Sequence, residues 1–195
     1  MTKKIINPLI EKMIRFVSLG EEVAPNGTLL YGCAPHIGKK AFLHTLYPPL
    51  KENEILMLEK NIGIKLPPHL IDFYQECNGF HYFLDTLSVD GLRIGAGRSG
   101  ADYYQPYDLK TINVDERISD AEVDCVFFGG YDWDGSLVYT RQNEADVYLC
   151  SVDSAKPIYS WPSISDFIHS ESERIAGLFS LDGMQFDEEK STLPK

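Results

Sequence analysis

Leu66-Pro67-Pro68-His69-Leu70-Ile71-Asp72-Phe73-Tyr74-Gln75-Glu76-Cys77-Asn78-Gly79 reads as a short helix with a marked start, one apolar face and a marked stop. Pro67 and Pro68 suit a first helical turn, where backbone N–H groups have no intrahelical partner and the fixed φ of proline is already helical. Leu70, Ile71, Phe73, Tyr74 and Cys77 recur at helical spacing and make a single stripe. Asn78-Gly79 allows left-handed backbone, which closes a helix at little cost. The spacing predicts a helix over 67–78 whose stripe lies in the core. The stretch bears on the fold, and the surface that acts is expected elsewhere.

Upstream of it, Ile55, Leu58 and Ile62 mark a helix closed by Gly63. Downstream, β signals follow in series: His81–Leu84, Leu87–Val89, Cys125–Phe128, Leu137–Arg141 and Val147–Ser151. Asp132-Trp133-Asp134-Gly135 and Gln142–Asp146 read as hairpin loops between them. Ser163 is placed as the N-cap of a last helix carrying Ile164, Phe167, Ile168, Ile175, Leu178 and Phe179, with Asp166 at N3. Residues 4–19 show an amphipathic helical pattern, and Thr28–Cys33 reads as either a short strand or an extended loop. The fold class is therefore α+β: a mainly antiparallel sheet of about five or six strands flanked by helices in a single domain. Residues 1–50 are expected as a helical extension packed on that domain, 51–181 as its body, and 182–195 as a mobile polar tail.

At 195 residues with 44% hydrophobic content, the chain is long enough for one well-buried domain. No apolar run approaches the roughly 20 residues of a membrane span. Glu11, Lys12 and Arg15 interrupt the apolar residues of the N-terminus as a signal peptide would not allow, so a cytoplasmic protein is expected. Cys33, Cys77, Cys125 and Cys150 lie far apart without a C-x-x-C pair, which favours buried thiols over a disulfide framework or zinc site. The net charge of −11 is unevenly spread: nine acids stand against Arg117 and Arg141 between Asp115 and Asp146. Such a field repels nucleic acid and anionic membrane and attracts basic partners; a merely solvated acidic surface is the alternative.

Gly95-Ala96-Gly97-Arg98-Ser99-Gly100 matches G-x-G-x-x-G, but Pro106 falls where the following helix should run, and no βαβ pattern surrounds it. A surface loop is the better reading. Asp132-Trp133-Asp134-Gly135-Ser136 resembles the start of a calcium loop, yet position 143 is Asn and the flanks are strands, which favours a turn. The five histidines are scattered, with no second His at i+3 or i+4. No catalytic, cofactor-binding or metal-ligating set is assigned. Tyr103, Tyr104, Tyr107, Tyr131 and Trp133 fall in loops, where aromatics either anchor partners or fold back over the sheet. The candidate partner-binding set is Tyr103, Tyr104, Tyr131, Asp132, Trp133 and Asp134, with Trp133 the leading anchor.

Leu58-Glu59-Lys60-Asn61-Ile62-Gly63-Ile64-Lys65-Leu66-Pro67, followed by Leu70, Phe73 and Asn78-Gly79, resembles the signature of the SUKH superfamily, which includes fungal cell-wall-assembly regulators. Leu87-Ser88-Val89-Asp90-Gly91-Leu92 is similar to its next strand and glycine. Phe127-Phe128-Gly129 with Asp134-Gly135 is similar to its later hairpin, and Ser163–Phe179 to its closing helix. The likeness runs over about residues 52–180. It implies an α+β fold without enzymatic activity or cofactor, and a protein partner. Many bacterial members look like immunity proteins that neutralise a toxin domain, often a nuclease; a regulatory or scaffolding adaptor is the alternative. A nucleotide-using enzyme working through Gly95–Gly100 is the remote one. The resemblance transfers no binding residue.

Overall fold

The computed structural model describes residues 4–97 and 100–195. Among the described residues, nine strands form one sheet in which every strand pairs antiparallel with its sequence neighbour. They are β1 (Glu21–Val23), β2 (Leu29–Cys33), β3 (Phe42–Leu46), β4 (Phe80–Tyr82), β5 (Leu87–Val89), β6 (Cys125–Gly130), β7 (Leu137–Arg141), β8 (Val147–Ser151) and β9 (Ser154–Trp161). The helices are α1 (Asn7–Met13), α2 (Glu52–Ile62), α3 (Pro68–Tyr74) and α4 (Ile164–Ala176). The α+β class stands, but the sheet has nine strands where five or six were expected.

β2 takes the strand alternative for Thr28–Cys33; the unexpected strands are β1, β3 and β9, and residues 1–50 supply two of these. β1 is exposed at all three positions, and β9 carries five exposed residues in a row with Pro157 among them. Both are edge strands, so neither shows the alternation that half-burial imposes. The N-terminal helix is also shorter than its pattern, passing at Ile14 into a 3-10 segment that ends at Leu19.

Alternation divides the sheet into two faces. Leu46, Phe80, Val89, Val138 and Leu149 lie in one cross-strand row, buried with the stripes of α1, α2, α3 and α4 in the main core. The opposite face bears the row Leu30, Thr45, His81, Ser88, Gly130, Leu137 and Cys150. The long connection from β5 to β6 crosses that second face and covers a smaller cluster of Ile118, Cys125, Phe127, Tyr139, Cys150 and Ala155.

Residues 182–195, expected as a mobile tail, turn back along α4. Phe186 N donates to Leu178 O at 3.0 Å, and Arg174 Nη2 donates to Thr192 O at 2.6 Å. Leu193 packs on the core. Among the described residues, no helix is long and apolar enough to cross a membrane.

Candidate functional site

On the face away from the helices, the row reaches Ser88 and Gly130, where small side chains leave the sheet uncovered. The hole is a recess of about 430 Å³, bounded by β5, the β6–β7 hairpin and the 107–112 segment. That volume lies within the roughly 300–1,000 Å³ of small-ligand sites. Asp85, Asp90, Asp108, Asp132, Tyr107 and Ser136 are the polar groups that decide its chemistry. A second recess continues along the same row past Leu30, Thr45 and His81, and Asp85 and Tyr107 form part of both walls.

Asp90 is held by the helix whose sequence fixes the fold. The Tyr74 hydroxyl donates to Asp90 O at 2.9 Å. Asn78 brackets Leu92, accepting from its N–H and donating to its carbonyl, each at 2.8 Å. Gly79 has φ +89°, and a Cβ there would stand 2.2 Å from Val89 O. Asn78-Gly79 therefore does more than end a helix: α3 itself ends at Tyr74, and the pair pins the exit of β5. From the other side, the register of β6 shifts between Phe127 and Gly129, and Phe128 O accepts from Asp90 N at 2.9 Å. Bulges commonly re-aim chain beside functional sites.

Asp85 sits in the β4–β5 turn, where Phe83 and Leu84 both adopt left-handed backbone, with φ 47° and 61°. Large side chains there cost roughly 1–3 kcal/mol each. Leu84 N donates to Leu43 O at 2.7 Å, Phe83 N donates to His44 Nδ1 at 3.2 Å, and Phe83 stacks on Phe179 with ring centroids 4.0 Å apart. These contacts hold the strained turn. The Tyr107 hydroxyl donates to Asp85 Oδ2 at 2.8 Å, its ring lies 4.6 Å from that of His81, and His81 Nδ1 is 2.8 Å from Asp85 Oδ1.

Burial would raise the Asp85 carboxyl, but His81 and the Tyr107 hydroxyl outweigh it and hold the group below its ordinary value. Asp90 goes the other way. It is 6% exposed; burial, seconded by Asp85 and Asp108 against an offset from His81, pushes its carboxyl up to about 7. Asp132 is raised by burial and by Asp85. Among the described residues, no Lys or Arg forms an ion pair with Asp85, Asp90, Asp108 or Asp132. Ser136 is 1% exposed, and among the described residues its Oγ has no hydrogen-bond partner. The recess can accept hydrogen bonds and positive charge. Among the described residues, no group of three or more His, Cys, Asp or Glu is arranged to hold a metal ion.

The six residues expected to bind a partner divide by position. Asp132 reaches the recess rim, and Trp133 is 42% exposed beside it. Asp134 Oδ1 accepts from Ser136 N at 2.9 Å and so closes the hairpin turn. Tyr103, 56% exposed, packs edge-on against Tyr104, and both line the second recess. Tyr131 corrects the expectation of an exposed loop aromatic. It is 3% exposed, and its hydroxyl donates at 2.7 Å to Glu171 Oε2 on α4, so it anchors the loop from within. Burial of Glu171, which Arg174 also bonds, explains why that hydroxyl is drawn inward.

Asp85, Asp90, Asp108 and Ser136 were absent from the expected set. One signal for them exists in the sequence: Ser88 and Asp90 share strand parity opposite the apolar Leu87 and Val89. In the Gly95–Gly100 motif, Arg98 and Ser99 lie outside the described residues. Around the rest, Gln105 Oε1 accepts from Ile94 N and Gly95 N, and Gly100–Tyr103 forms a 3-10 turn.

No curated protein matches the chain. The SMI1 / KNR4 family (SUKH-1) matches residues 49–170, well over half of the 195. The match spans α2, α3 and β4–β9, and includes all six residues that give the recess its chemistry, while β1–β3 lie before it. Within it, Glu59 of the signature accepts from Leu66 N at 3.0 Å and from Lys65 Nζ at 2.6 Å, fixing the turn between α2 and α3. The chain belongs to the SMI1 / KNR4 family (SUKH-1).

Proposed function

We propose that this protein is a non-enzymatic binding module, an immunity protein that captures and neutralises a toxin domain with a basic surface, such as a nuclease. The observation that carries the reading is the convergence of four aspartates on one recess in a chain of net charge −11. An acidic face speeds encounter with a basic partner, and a few buried anchors then hold the complex. Asp132, Trp133 and Asp134 form the rim of the contact surface, with Tyr103 and Tyr104 farther along the trough. The module works in the cytoplasm; its four cysteines are free thiols, as suits a reducing compartment.

Co-expression with the toxins encoded beside its gene, followed by pull-down and a toxicity assay, tests this. Capture and rescue by one such toxin is the expected result. Absence of any complex across the neighbouring candidates would sink the immunity reading, and several unrelated partners would favour the adaptor role.

A further inference from the structure

We propose that the recess is a socket for one arginine side chain of the partner protein, its guanidinium set among Asp85, Asp90, Asp108 and Asp132 with the Tyr107 ring beside it. The inference rests on the protein-binding function proposed above and names what that partner must present.

Three independent features converge on this occupant. The first is charge: four carboxylates line the recess, and among the described residues none is paired with a Lys or Arg. The second is an unused acceptor. Ser136 lines the recess, and its buried Oγ has no partner among the described residues, although buried hydroxyls ordinarily find one. The third is shape. About 430 Å³ takes one long side chain but not a folded segment, and Tyr107 supplies an aromatic wall against which a cation is stabilised. Arginine fits better than lysine. Its planar fork offers five donors to carboxylates spread around the space, and it stacks on aromatic rings, whereas an ammonium is a compact and strongly hydrated point charge.

The site is also preorganised. Asp85 is fixed by the Tyr107 hydroxyl and a strained turn, and the Asp90 backbone by Tyr74 and Phe128. A partner arginine therefore meets acceptors that do not have to be ordered on binding, which is where rigid sites gain affinity.

The test uses the full chain and small probes, so it does not depend on finding the partner. N-acetyl-arginine amide is titrated into 15N-labelled protein, with the citrulline and lysine counterparts as controls. Amide shifts confined to Ser88, Asp90, Gly130 and Ser136 and their neighbours are expected, saturating at about millimolar probe. Citrulline, isosteric but uncharged, should bind at least about tenfold more weakly, as should arginine to the Asp90→Asn protein. Glu11→Gln, an exposed carboxylate on α1 across the sheet from the recess, should leave probe affinity unchanged. Scattered shifts, equal binding of citrulline, or lysine binding as well as arginine would overturn the proposal.

Partner capture separates this inference from the function beneath it. A toxin held equally well by wild type and Asp90→Asn would overturn the socket and leave immunity standing. Localised arginine binding without any toxin partner would do the reverse.

Discussion

Asp90→Asn should make the protein more stable at neutral and alkaline pH, although it removes a charged residue. In the folded chain the Asp90 carboxyl rises from its ordinary 3.8 to about 7, chiefly through burial. At about 1.4 kcal/mol for each tenfold change in proton affinity, keeping it ionised costs the native state about 4 kcal/mol. Below about pH 4 the group is protonated in both states, and no cost appears. Between about pH 4 and 7 the native chain holds a proton that the unfolded chain has released, so stability falls as pH rises, by up to about 1.4 kcal/mol per pH unit. Above about pH 7 the full cost is present.

His44 works in the opposite sense, which decides how the experiment must be read. Burial lowers its pKa from 6.5 to about 3, so the unfolded chain binds the extra proton and stability rises with pH between those values. The two slopes largely cancel in the wild type between about pH 4 and 6. Only the difference between wild type and Asp90→Asn isolates Asp90, because both proteins keep His44. Urea unfolding of the pair at about pH 4, 6 and 8 should give near-equal stabilities at the lowest value, then a growing advantage for the variant that approaches 4 kcal/mol. A constant offset across the range, or a less stable variant at pH 8, would show that Asp90 titrates as an ordinary aspartate.

Other substitutions address separate parts of the structure. Tyr131→Phe removes the bond to the buried Glu171 carboxylate and should cost about 1.5–3 kcal/mol, seen as a Tm lower by several degrees. Gly79→Ala sets a Cβ 2.2 Å from Val89 O at φ +89°; thermal unfolding should show a loss of about 3 kcal/mol, and wild-type stability would show that the end of β5 moves aside at no cost. Phe73→Ala empties a site with 0% exposure in the main core and should cost about 3–5 kcal/mol in chemical denaturation. With a cognate partner in hand, replacing Asp132 and Asp134 together by Asn should slow association and flatten its salt dependence in stopped-flow; unchanged kinetics would place the interface elsewhere.

Periodicity made the middle of the chain legible. β4 through β8 each show a buried face, and the stripe on α3 marks a helix at once. The edge strands were hidden because an edge exposed on both sides carries no period, as in β1 and β9. The site was hidden for a different reason. Charge density drew attention to residues 115–146, yet much of that charge is consumed locally: Asp115 by Lys110, Asp120 by Ser154 and Ala155, Glu122 by Arg141, Glu144 by Tyr148. Of that stretch, Asp132 alone joins Asp85, Asp90 and Asp108 on the recess. Their meeting depends on the register that sets Ser88 opposite Gly130, which no single segment states.

The opening stretch gains a second role from this geometry. Tyr74, Asn78 and Gly79 belong to the core side of the molecule, yet the bonds of the first two end on Asp90 and Leu92, and Gly79 leaves room for the close approach of Val89 O. A signature read as helix boundary is thus also the mount for the most perturbed carboxylate of the recess. The acidic half of the trough lies inside the residues matched to the family, whereas Leu30, Lys40, Phe42 and Thr45 of the second recess come from strands and loops before them. Tyr107 and Asp85 stand where the halves meet. A partner lying along the row would therefore meet a charged socket built by the family core and an aromatic ledge completed by β2 and β3. Charge in the first can set the rate of encounter, while buried apolar contact with the second can set which partner stays.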